Sequence, residues 1–485
     1  MKGLAAHALA TLSDPGLLSP AQLGHGSGLT VVDPATGEVI ANVPDLPPAS
    51  VRHVVAAGTA AGREWAALLP SQRGAILCRW ADLIRAASHD LAVILSAEQG
   101  KPLAEAKGEI GYGAAFLTWF AAEGERVCGE TIPEHKTGAR LSVIWQPVGL
   151  AVGITPWNFP MAMIARKAGA ALAAGAPMIV KPAPETPLSA LALQVLARRA
   201  GIPTGVFQVI TGDAPTLTRA LLAEDAVRAV SFTGSTEVGR LIYGLGARGV
   251  KRLSLELGGH APFIVFADSQ LGATVAGAMA AKFATSGQDC LAANRIYVER
   301  PIYETFCAAF AEATAQLRVG HGLEKDTQIG PMTRTSVVAK CYQQIADAVA
   351  KGARVLTGGD AHPLGPAFVT PTVLADVTPD MAIVREETFG PVAALIQFDT
   401  EAEVITLASA TELGLAAYLY TRDIGRITRI TRALEFGMIG VNTASFTGPP
   451  IPFGGWKQSG LGREGGRAGI TEFMEQKYIC IGSAD

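Results

Sequence analysis

Paired cysteines are missing from this sequence. Its six cysteines, Cys78, Cys128, Cys290, Cys307, Cys341 and Cys480, include no Cys-x-x-Cys. That spacing excludes a disulfide framework and a compact zinc knuckle, gives no reason to expect a metal, and suits a reducing, cytoplasmic compartment. A surplus of one charge is missing too. Lys and Arg total 40 against 43 Asp and Glu, a net charge of -3, so neither nucleic acid nor an anionic membrane is expected as a partner. Despite a mean hydropathy of +0.28, there is no unbroken apolar span. The longest uncharged stretch, 141–165, contains Pro147, Gly149, Gly153, Pro156, Asn158 and Pro160 and cannot form one membrane helix. Residues 168–180 are too few and lie between Lys167 and Lys181. Near the start, Lys2 precedes a weak apolar stretch broken by His7, so Ala8-Leu9-Ala10 is not expected to be a signal cleavage site. Internal repeats and low-complexity linkers are also absent. What is present is 485 residues, 49% hydrophobic and 17% charged. That supplies a large core, excludes global disorder and is enough for about three units of ~150 residues.

Asp33-Pro34-Ala35-Thr36-Gly37 reads as a turn between two short strands. From Ser50 to Glu125 the apolar spacing is helical, as in Val51, Val54, Val55 and Leu77, Trp80, Leu83, Ile84. The texture then changes. Short apolar runs at 148–154, 177–180, 206–210, 227–232 and 253–257 alternate with helical stretches such as 160–174 and 187–200. This is the pattern of a doubly wound α/β sheet. A second α/β stretch runs from about His260 to Ile439, with strands expected at 261–266, 295–298, 392–398 and 416–420. A last apolar strand at 477–481 has no obvious neighbour in the chain and is expected to pair with another subunit.

Four segments carry candidate chemistry. In Gly287-Gln288-Asp289-Cys290, small and polar residues suit an exposed turn that presents a nucleophilic thiolate; a buried apolar thiol is the plain alternative. Cys78, Cys307 and Cys341 sit in helix-like runs and read as filler. In Leu255-Glu256-Leu257-Gly258-Gly259, the carboxylate is either part of a surface alternation or a desolvated general base beside a cleft. In Pro156-Trp157-Asn158-Phe159-Pro160, Asn158 either caps a helix starting near Pro160 or donates to an oxyanion. In Phe232-Thr233-Gly234-Ser235-Thr236, a strand runs into a helix N-terminus suited to phosphate. The spacing is neither G-x-G-x-x-G nor a P-loop, so a simple helix cap remains an alternative.

Together these pieces resemble the aldehyde dehydrogenase superfamily from about Asp33 to Ile481. The matching segments are PWNFP (156–160), IVKPA (179–183), FTGSTEVG (232–239), LELGG (255–259), GQDC (287–290), EETFGP (386–391) and PFGGWKQSGLGREGG (452–466). The last, with QPVGL and KYICIG, is most similar to the succinate-semialdehyde dehydrogenase branch. The resemblance implies two doubly wound α/β domains plus a small β oligomerisation unit. Its expected boundaries are 1–125 and 145–255 for the dinucleotide domain, 256–440 for the catalytic domain, and 126–144 with 460–485 for the hairpin and tail of a homodimer or homotetramer. It implies Cys290 as nucleophile, Glu256 as base, and Asn158 with the Cys290 N–H as oxyanion donors. For NAD or NADP it implies Lys181 at the adenosine ribose, Ser235 at the pyrophosphate and Glu387 at the nicotinamide ribose. Phe389, Thr155, Trp157, Pro184, Gly234 and Gly258 complete that set.

Three departures refine the expectation. Many relatives carry Glu three residues after the ribose lysine; Pro184 stands here, so a 2′-phosphate is not repelled and NADP is favoured slightly. Succinate-semialdehyde relatives often have Arg six residues before the nucleophile; here it is Ala284, while Arg166 and Thr447 remain to hold an ω-carboxylate. A second cysteine two residues after the nucleophile is replaced by Ala292, so a redox-switched loop is not expected. The rival readings are a dehydrogenase for neutral or bulkier aldehydes, a CoA-acylating enzyme, and a silent binding protein. Glu256 argues against acyl transfer to CoA, and the set Asn158, Glu256 and Cys290 argues against silence.

Overall fold

The computed structural model describes residues 1–19, 23 and 28–482. The expected spans 1–125 and 460–485 therefore include residues 20–22, 24–27 and 483–485, which lie outside the described residues. The Asp33 turn forms as read: its carboxylate accepts the Ala35 N–H at 2.9 Å, and it joins Leu29–Val32 to Val39–Val43.

The helical region divides into Val51–Ala67, Pro70–Ala86, Ser88–Gln99 and Leu103–Gly124. The breaks have local causes. Leu69, before Pro70, is extended at φ -61° and ψ 148°, because the proline ring disfavours a helical predecessor. Gly100 closes the next helix but one in the left-handed region at φ 91°. Trp65 and Trp80 are buried against the neighbouring helices and sheet, and the Trp65 indole donates to the Leu172 carbonyl at 2.9 Å. Each fully buried aliphatic side chain in this core contributes about 1.5–3 kcal/mol.

Those helices cover a six-stranded sheet. Its order is Gly460–Leu461, Arg252–Glu256, Val227–Thr233, Leu150–Ile154, Met178–Lys181, Phe207–Val209, parallel except for the first pair. The second sheet has seven strands in the order Arg354–Thr357, Thr372–Ala375, Val392–Phe398, Ala293–Glu299, Ala261–Val265, Ala416–Tyr420, Met438–Val441. Only its Arg354–Thr357 edge is antiparallel. Every residue of Leu150–Ile154 and of Ala261–Val265 is buried, which is why these strands read as continuous apolar runs. Both sheets are doubly wound, so the expected fold class holds.

One expectation is corrected. The terminal strand, Met474–Ile481, pairs along its whole length with Arg140–Pro147 of its own chain, and Arg140–Pro147 also pairs with Glu130–Ile132. Arg252 fixes the start of that terminal strand by donating to the Met474 carbonyl at 2.8 Å. Sequence periodicity cannot reveal a partner strand more than 300 residues away. Ile132, Ile144, Tyr478 and Ile481 are exposed on this sheet. Among the described residues no helix is long and apolar enough to cross a membrane.

Candidate active site

A cavity of about 820 Å³ runs between the two sheets. Its lining includes Lys181, Pro184 and Ser235, then Thr155, Trp157, Asn158, Gly234, Glu256, Gly258, Cys290, Glu387 and Phe389, and also Arg166 and Thr447. Every residue singled out from the sequence therefore meets one continuous space.

Cys290 sits after a strained turn. Thr285 and Ser286 have φ of 52° and 57°, and Gly287 follows at φ 74°. The two non-glycine residues cost on the order of 1–3 kcal/mol each in that region. Three bonds hold the turn. Glu105 accepts the Thr285 N–H at 2.9 Å, Ser286 Oγ accepts the Gly330 N–H at 2.8 Å, and Gln288 Oε1 accepts the Thr333 N–H at 3.0 Å. Gly259 lets the LELGG segment approach: a Cβ there would stand 2.0 Å from the Cys290 carbonyl oxygen. Burial pushes the Cys290 thiol up, and Asp289, Glu256 and Glu387 add to the effect. The resting side chain is thus a thiol that needs a base.

Asn158 does not cap a helix. The helix Ala162–Ala174 starts two residues later than expected, with no side-chain cap at its first residue. Its leading N–H groups, on Met161 and Ala162, go to Glu109 Oε1 at 2.9 and 3.1 Å. Asn158 Nδ2 donates instead to the Gln288 carbonyl at 3.0 Å. This fixes the amide beside the thiol with a second N–H left to give.

Glu256 ends the strand Arg252–Glu256 and is 3% exposed. Among the described residues its Oε1 has no hydrogen-bond partner. Burial raises its pKa to about 8, and the nearby Glu464 pushes in the same direction against Arg166 and Lys167. A buried carboxylate oxygen without a donor is expensive, and here it faces the cavity of the thiol.

The sequence reading missed a charge network behind Glu256. Glu464 is ion-paired to Lys167 through its Oε1 and to Arg166 Nη1 at 3.4 Å through its Oε2. Lys167 also donates to Thr233 Oγ1 at 2.6 Å. Burial works to raise Glu464, but Lys167 and Arg166 outweigh it and hold the carboxyl below its ordinary pKa. Glu464 reaches this place because Gly460–Leu461 pairs with Leu255 and Glu256. Arg166 is 2% exposed, donates to the Tyr112 hydroxyl at 2.9 Å and leaves Nε without a partner among the described residues. The motif containing Glu464 was visible in the sequence; its convergence with Lys167 was not.

The other half of the cavity fits a nicotinamide dinucleotide. Lys181 is buried, donates among the described residues only to the Pro182 carbonyl at 2.8 Å, and is pushed down to about 8 by desolvation. Thr155 Oγ1 is buried without a partner among the described residues. Glu387 accepts the Gly259 N–H at 3.0 Å, and burial raises its pKa to about 7. Phe389 meets Trp157 edge to face at 5.4 Å. The helix Thr236–Ala247 points its N-terminus here; Ser235 accepts the Val238 N–H, and the remaining first-turn N–H groups lack intrahelical acceptors. Such an end attracts phosphate. Arg219, also missed, lines the same end and is exposed; among the described residues it makes no ion pair.

Comparison with known proteins agrees with this geometry. Residues 23–479 match the aldehyde dehydrogenase family. The chain belongs to that family. It is 52% identical over 453 residues, 93% of this chain and 92% of the other, to a non-phosphorylating aspartate-semialdehyde dehydrogenase of Halomonas elongata. It is 49% identical to an NADP(+) succinate-semialdehyde dehydrogenase of Escherichia coli, covering 94% and 95% of the two chains. The crystal structure of an aldehyde dehydrogenase from Brucella melitensis biovar abortus superposes with a TM-score of 0.96 at 50% identity, covering 98% of this chain and 100% of that one. This protein is an NAD(P)-dependent aldehyde dehydrogenase.

Proposed function

We propose that the enzyme oxidises a semialdehyde carrying an ω-carboxylate to the corresponding acid, through a thioester on Cys290 that water hydrolyses. The observation that carries the hydrolytic step is the unpartnered, buried Glu256 Oε1 in the cavity of Cys290. Glu256 takes the thiol proton, directly or through water. Sγ then bonds to the carbonyl carbon, and the resulting alkoxide accepts hydrogen bonds from Asn158 Nδ2 and the Cys290 N–H. Such donors lower a barrier by about 3–4 kcal/mol. A bound nicotinamide supplies the hydride acceptor that lets this adduct become a thioester. Glu256, its proton passed on, draws a proton from the attacking water, and the tetrahedral adduct collapses to acid and thiol. The ion-paired Glu464 and Lys167 hold charge behind Glu256 through both steps.

For the aldehyde, the supporting features are Arg166, whose Nε–H is unpartnered at the cavity wall, and Thr447 beside the same space. A guanidinium in a desolvated pocket pairs strongly with a carboxylate. Both curated relatives named above act on ω-carboxylate semialdehydes by name. The test is kcat/KM for succinate semialdehyde against butanal, followed by reduced cofactor. We expect the acid to win clearly and Arg166→Ala to cut its advantage about 30-fold or more. Butanal equal to succinate semialdehyde in the wild type would remove the acidic-substrate reading.

For the cofactor, we propose a preference for NADP. Among the described residues Lys181 and Arg219 make no ion pair, Glu185 and Asp213 act on Lys181 only at longer range, and Pro184 adds no further negative charge. Pro184→Glu is expected to lower kcat/KM with NADP about tenfold relative to NAD, by placing a carboxylate against the 2′-phosphate. A wild type far more efficient with NAD overturns the preference. We place the assembly at a dimer or tetramer docked through the exposed three-stranded sheet, which a light-scattering mass checks.

A further inference from the structure

Lys101 lines the cavity, yet its ammonium is engaged by the protein itself. The residue is buried in the break between the helices Ser88–Gln99 and Leu103–Gly124. Nζ lies 2.6 Å from Glu109 Oε2, donates to the Asn158 carbonyl at 2.9 Å and stands 3.9 Å from the centre of the Phe159 ring. An ammonium has three protons. A carboxylate, a carbonyl and a ring face account for all three, so the group holds chain rather than substrate.

The chain it holds is the one that carries Asn158. Residues 155–161, between the strand Leu150–Ile154 and the helix Ala162–Ala174, are neither helix nor strand. Their position depends on contacts from elsewhere. Lys101 takes the Asn158 carbonyl, and Glu109 Oε1 takes the Met161 and Ala162 N–H groups. One buried ion pair therefore grips the segment at two points. Stability is a poor reason for such a pair, since apolar side chains of the same volume often do as well or better.

The backbone around Lys101 is in turn tied to the nucleophile turn. The Lys101 N–H goes to Gln99 Oε1 at 2.8 Å, and its carbonyl accepts from Ser96 Oγ at 2.6 Å. Gln99 Nε2 donates to Thr333 Oγ1 at 3.2 Å, and that hydroxyl donates to the Gln99 carbonyl at 2.7 Å. The Thr333 N–H goes to Gln288 Oε1, and the Gly330 N–H to Ser286 Oγ. Gly330 also packs so closely on Gly100 that a Cβ there would stand 2.1 Å from the Gly100 carbonyl oxygen. Residues 330–333 thus hold the Lys101 backbone and the turn before Cys290 in one frame, and the Lys101 side chain extends that frame to Asn158.

We propose that Lys101 is a positioning residue for the oxidation: by holding the Asn158 carbonyl it sets where the Asn158 amide stands relative to Cys290. This rests on the reading of Asn158 as an oxyanion donor. One N–H of that amide is already given to the Gln288 carbonyl. The other meets an alkoxide on the Cys290 adduct only while the main chain of residue 158 keeps its place. A displacement of about 1 Å can cost about 10²-fold in rate. Loss of the ammonium also leaves Glu109 without its cation, so both grips on the segment weaken together.

The experiment is a double-mutant cycle on Lys101→Met, Asn158→Ala and the combined variant. The readout is the first-turnover rate of reduced-cofactor formation with saturating succinate semialdehyde and NADP, beside NADP Kd from fluorescence titration. Asn158→Ala is expected to slow the first turnover about 10²–10³-fold, and Lys101→Met about 10²-fold, each with NADP Kd unchanged. A residue that acts through Asn158 has little left to lose once the amide is gone, so the combined variant should fall no more than about threefold below Asn158→Ala. If Lys101→Met does not fold, Glu109→Gln takes its place in the cycle: the amide still accepts from Met161 and Ala162 but offers the ammonium no anion. Losses that multiply, a Lys101→Met rate near wild type, or a Lys101→Met loss accompanied by weakened NADP binding each overturn the inference. With Asn158→Ala slow, those outcomes leave the oxyanion reading standing. An Asn158→Ala rate near wild type removes that reading and this inference with it.

Discussion

Cys290→Ala is expected to lose all detectable aldehyde oxidation, a fall of about 10⁴-fold or more, together with any esterase activity. Among the described residues no other cysteine lines the cavity. The other cysteines lie elsewhere: Cys307 and Cys341 are buried in helices, Cys78 is half-buried, and Cys128 and Cys480 are exposed. In the Thr285–Gly287 turn, Ser286 Oγ accepts the Gly330 N–H and does not line the cavity. Because Gly259 packs against the Cys290 backbone carbonyl rather than against Sγ, the alanine variant should keep its fold and still bind NADP. Fluorescence titration of the cofactor together with an absorbance assay checks both halves. Residual turnover within about tenfold of wild type would remove Cys290 from the mechanism.

Glu256→Gln should separate the two half-reactions. Acylation needs proton removal that water can perform slowly, whereas hydrolysis of the thioester needs a base on the attacking water. A general base contributes about 10²–10⁴-fold. The variant should therefore release close to one equivalent of reduced cofactor per site in a burst, then turn over at least about a hundredfold more slowly. Near-normal steady-state turnover would sink the assignment. The pH profile follows from the same group. Glu256 is raised to about 8, and only its ionised form is a base, so turnover should climb as pH rises from 6 to 9. The Cys290 thiol, also held up by burial, acts in the same direction. Glu256→Gln should flatten the part of the rise near pH 8. A wild-type optimum below pH 6 contradicts both assignments.

Much of this was legible in the residue order. The parallel strands announced themselves because strands covered on both faces are apolar throughout, whereas the helical stretch 50–125 did not show its division into four helices. The candidates Cys290, Glu256 and Asn158 could be named because each lies in a short segment whose small residues or prolines mark a turn at a strand or helix end. Tertiary structure decided the rest, for one reason: it joins residues far apart in the chain. Glu109 caps a helix that begins 53 residues later, and Glu98 does the same for Leu188 and Ser189, so neither helix shows its cap in its own sequence. The terminal strand found its partner at Arg140–Pro147. Glu464 came to Lys167 and Arg166 only because a two-residue strand carried it across to Leu255 and Glu256. Side-chain identity and local backbone preference are written in the sequence. Which charges end up buried together, and which are left without a partner, depends on distances that only packing sets.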